Sequence, residues 1–91
     1  MNVKEAVAIA KRHLSDLFAE EGIHDLGLEE VEFDEAGDVW SVTLGFSRPW
    51  DRALGAAATV LRPARAYKVV RMANSDGRIL SVRNRELIAA H

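Results

Sequence analysis

No cysteine occurs among the 91 residues, so disulfide staples, thiolate metal sites and a cysteine nucleophile are excluded, and the core must hold the fold unaided. No stretch approaches the ~18 consecutive apolar residues of a membrane-spanning helix. The start Met1-Asn2-Val3-Lys4-Glu5 has no basic region leading into an apolar run. A cytoplasmic protein without membrane association is therefore expected. The chain also lacks internal repeats and low-complexity segments.

The chemistry-bearing patterns are missing as well. His13, His24 and His91 do not have metal-ligand spacing. The acids between Glu29 and Asp38 lack the spacing and central glycine of a calcium loop. Ser41, Ser47 and Ser81 stand in no activated-nucleophile motif, and Gly45, Gly55 and Gly77 form no phosphate loop. The expectation is a non-enzymatic protein with no catalytic residues, no metal and no cofactor.

What is present fits one small domain. A chain of this length buries roughly 60 to 65% of its unfolded surface, enough for a single modest core. The net charge of −2 conceals an asymmetry: residues 1–40 carry eleven acids against three bases, and residues 41–91 three acids against nine bases, giving −8 and +6. In a domain this small the halves share one sheet, where opposite charges on neighbouring strands are mildly favourable. That reading is preferred to two patches meeting different partners.

The clearest stretch is Val39–Phe46, where Trp40, Val42, Leu44 and Phe46 alternate with Ser41, Thr43 and Gly45. Period-2 alternation puts four large side chains on one face of a strand and small ones on the other. Before it, Asn2 and Glu5 form a capping-box pair that opens a helix running to about Glu21, with Gly22 as terminator. Val3, Ala6, Val7, Ala10, Leu14, Leu17 and Phe18 fall on one helical stripe. After a connector ending at Gly27, Leu28–Asp34 reads as a strand with an acidic outer side. Glu35-Ala36-Gly37-Asp38 reads as a hairpin turn with its glycine at positive φ.

Residues 47–64 form a long loop in which Trp50, Leu54, Ala57 or Ala58, and Leu61 have helical spacing between Pro49 and Pro63. Arg65–Met72 is a third strand, with Tyr67 and Val69 expected toward the helix and Lys68, Val70 and Met72 away from it. Asn74-Ser75-Asp76-Gly77 is a strong turn signal. Arg78–Arg83 is a fourth strand, with Leu80 and Val82 expected inward and Ile79 and Ser81 outward. Residues 84–91 are a tail. The fold class is α+β: one N-terminal helix packed on a four-stranded antiparallel sheet, a two-layer sandwich in a single domain. One helix covers one face, so the other is expected to be bare and semi-apolar, and a partner or a second copy is its economical cover.

The closing pair of strands, Tyr67-Lys68-Val69-Val70 through Asn74-Ser75-Asp76-Gly77-Arg78-Ile79-Leu80-Ser81-Val82, together with the preceding helix and strands, resembles the small PepSY-like domains. In that family the hairpin commonly carries an Asp before a Thr-Gly turn, where this chain has Asn74 and Asp76-Gly77. The resemblance implies the α+β fold and a binding role toward peptidases. It also implies an exported or membrane-tethered protein, which this chain's start does not match, and the Ser47-Arg48-Pro49-Trp50-Asp51 insertion departs from the family's short connection.

Two surfaces follow as binding candidates. Arg48, Trp50 and Asp51 leave the central strand together, a Trp among charges that either buries in a partner or folds back on the core. Lys68, Val70 and Met72 are expected on the uncovered face, and Arg65, opening the third strand, is a further binding candidate. The leading function is a protein-interaction or regulatory module binding a protein partner or itself, as a homodimer through the open face. The alternative is a nucleic-acid-binding accessory domain, in which the arginines of the second half contact phosphates beside Trp50 and Tyr67. Glu-rich neighbouring strands oppose that alternative by repelling a polyanion.

Overall fold

The computed structural model describes residues 1–47 and 66–85. Helix α1 spans Val3–Leu17 and opens with the complete capping box: the Glu5 amide donates to Asn2 Oδ1 at 2.8 Å, and the Asn2 amide donates to Glu5 Oε1 at 2.9 Å. Such a cap contributes about 0.5–2 kcal/mol. A tighter 3-10 turn over Ala19–Glu21 follows, and Gly22, left-handed at φ 67°, ends it. The helical run therefore stops where expected, in two pieces.

Four strands follow: β1 (His24–Asp34), β2 (Val39–Ser47), β3 (Ala66–Ala73) and β4 (Ile79–Asn84). They form one antiparallel sheet in the order β1-β2-β3-β4, which makes the architecture the expected α+β two-layer arrangement. Strand β1 begins four residues before the expected Leu28, so Gly27 lies within the strand. Register shifts flank it, between His24 and Gly27 and between Leu28 and Glu30, and Asp25 takes φ 58°. An edge strand tolerates such bulges because only one of its sides carries a ladder. In the β1–β2 turn the positive φ falls on Asp38, at 55°, rather than on Gly37. A Cβ at Gly37 would stand 2.9 Å from Asp34 Oδ2, so this glycine supplies clearance for that carboxylate.

The core lies between α1 and one face of the sheet. Ala6, Ala10 and Leu14 meet Trp40, Val42, Leu44 and Phe46, and the group is buried throughout. Two alanines in the centre of the helix stripe let the helix approach the sheet. Val7, Ile9 and Phe18 pack at its margins, while Val3 and Leu17, expected on the stripe, remain exposed. Phe18 reaches Phe46 with ring centroids 5.8 Å apart. Each fully buried large side chain contributes about 1.5–3 kcal/mol.

The phase of β3 is the reverse of the expected one. Trp40 pairs with Met72 and Val42 with Val70, so Val70 and Met72 face the helix, and both are completely buried. Lys68 shares that face opposite Leu44, while Tyr67 and Val69 lie on the other. The physical reason is Arg71: alternation that turned Tyr67 and Val69 inward would carry Arg71 into the core, where an unpaired charge is costly. The observed phase instead brings Lys68 inward at the end of the sheet. There its Nζ sits 5.6 Å from the Phe18 ring centroid and donates to Asn84 Oδ1.

Strand β4 also differs. Arg71 pairs with Ser81 but Met72 with Ile79, leaving Leu80 as the extra residue of a bulge. Ile79 and Val82 therefore both pack on the core, and Leu80, expected inward, is 42% exposed. With Val70, Met72 and Ile79 on the helix side, the second face is not the semi-apolar surface expected of it. Nor is it bare along β2: Val39 is buried and Thr43 is only 4% exposed.

Candidate interaction surface

Of the residues singled out in the sequence, Val70 and Met72 are core and present nothing to a partner. Lys68 is held between Phe18 and Asn84 on the helix side. Arg48, Trp50, Asp51 and Arg65 lie outside the described residues, as do the helical spacing of 51–61 and most of the expected tail. The structure thus separates Lys68, Val70 and Met72 from the second face to which they were assigned.

That face is built instead by the residues alternating with the core. Across the sheet, register aligns Glu32, Ser41, Arg71 and Ser81 in one row, and Glu30, Thr43, Val69 and Arg83 in the next. Gly27, Gly45 and Tyr67 form a third. Beside Tyr67, the Arg85 amide donates to its carbonyl at 3.1 Å, and the Arg85 guanidinium lies 5.8 Å from its ring centroid. Each row runs from an acidic or glycine position on β1, over small residues on β2, to one basic or aromatic residue on the far side: Arg71 on β3, Arg83 on β4 and Tyr67 on β3. Part of the charge asymmetry of the sequence, two acids against two bases, is thus laid across one surface. Glu30, Glu32, Arg71 and Arg83 are all exposed. Adjacent strands are about 4.8 Å apart, so Glu32 and Arg71, two strands apart, are separated by roughly 10 Å of backbone. Ser81 Oγ is shielded from solvent with no hydrogen-bond partner.

The signal that located these residues was available: Arg71 fixes the phase of β3, and Glu30 and Glu32 alternate with Val31 and Phe33. A second constellation was not foreseen. At the end of the sheet the two hairpin turns are tied together by Asn74. Its side-chain amide donates to Asp38 Oδ1 at 3.0 Å, its backbone amide donates to the Asp38 carbonyl at 3.0 Å, and its Oδ1 accepts from Trp40 Nε1 at 2.7 Å. Trp40 in turn packs on Phe33, centroids 4.8 Å apart. This is a structural clasp at the sheet's end.

Both edges of the sheet are irregular, β1 through its two register shifts and β4 through Leu80. Bulges and charges at edges oppose the addition of another strand. Among the described residues there is no group of three or more side chains placed to hold a metal ion, and no helix long and apolar enough to cross a membrane. Comparisons with family models, curated proteins and solved structures find no match.

Proposed function

We propose that the protein is a small non-enzymatic interaction module whose docking surface is the second face of its sheet. The observation that carries this reading is the charge gradient on that face, with Glu30 and Glu32 on β1 and Arg71 and Arg83 on β3 and β4. Such a surface steers a partner and sets its register, because a matching partner must offer base opposite acid at the same spacing. The bulged edges direct contact to the face rather than to strand addition. The resemblance to PepSY-like domains supports a binding role of this kind, and a cysteine-free chain suits the cytoplasm. The test is capture from the native host with the wild-type chain and with an Arg71→Glu variant. A protein retained by the first and lost by the second is the expected result; identical retention removes the reading.

Nucleic acid is the second reading, favoured by one observation: the Arg85 guanidinium lies over the Tyr67 ring, 5.8 Å from its centroid, on the face that also carries Arg71 and Arg83. Stacking on an aromatic ring with basic flanks suits a single strand. Glu30 and Glu32 on the same face oppose it. Salt-sensitive oligonucleotide binding that disappears on Tyr67→Ala would establish this reading in place of the first.

A further inference from the structure

We draw no further inference here: the strongest candidate, the exposed apolar pair Leu28 and Phe33 on the helix side of edge strand β1, carries nothing, because Phe33 already packs on Trp40 and nothing in the structure shows what covers Leu28.

Discussion

The indole Nε1 of Trp40 donates to Oδ1 of Asn74 across 2.7 Å, joining the central strand to a turn 34 residues further along the chain. Trp40 is only 8% exposed, so its N–H has little access to water and depends on that one acceptor. Asn74→Ala is expected to destabilise the fold by about 1–3 kcal/mol, the cost of an unpaired buried donor. Trp40→Phe on the Asn74→Ala background should cost less than on the wild type, because the donor is then already orphaned. Denaturant unfolding of the two single variants and the double variant measures this coupling.

Gly77 and Gly27 should respond oppositely to alanine. Gly77 has φ 74°, and a Cβ there would lie 2.9 Å from Ile9 Cδ1 and 3.1 Å from Met1 Cε, whereas a Cβ at Gly27 meets nothing within 4 Å. Gly77→Ala is expected to cost about 1–3 kcal/mol through strain in a left-handed turn. Gly27→Ala should be neutral or stabilise by up to about 1 kcal/mol, since it restricts the unfolded chain at no steric cost. Thermal melts of the pair distinguish them.

The bulge in β4 separates neighbours that strict alternation would treat alike. Leu80→Ala removes an exposed side chain and is expected to change stability by less than about 0.5 kcal/mol. Val82→Ala, packed on the core, should cost about 1–2 kcal/mol through lost burial. Ser81→Ala removes a hydroxyl that has no partner and should be neutral or mildly stabilising. A large loss from Leu80→Ala would mean that β4 pairs without the extra residue.

Much of this fold was legible in the chain. The Asn2/Glu5 cap, the Gly22 stop, the alternation of Val39–Phe46 and the Asn74–Gly77 turn each declare themselves through local chemistry, and local chemistry is what a sequence displays. The faces of β3 and β4 were not, because Val69-Val70 satisfies either phase and a one-residue bulge at Leu80 leaves no mark on composition. Register between distant strands settles both, through the pairing of Val42 with Val70 and Met72 with Ile79. The surface was half legible. The charge asymmetry was plain, but its arrangement on one face needed the register that sets Glu30 and Arg83 in the same row.

That the second face, and not the helix side, meets a partner is tested most directly by NMR of the labelled chain titrated with the protein it captures. On adding that protein, resonances of Tyr67, Val69, Arg71 and Arg83 are expected to shift together along one binding curve, while those of Ala10, Leu14 and Leu17 stay fixed. Shifts confined to α1 would contradict the account.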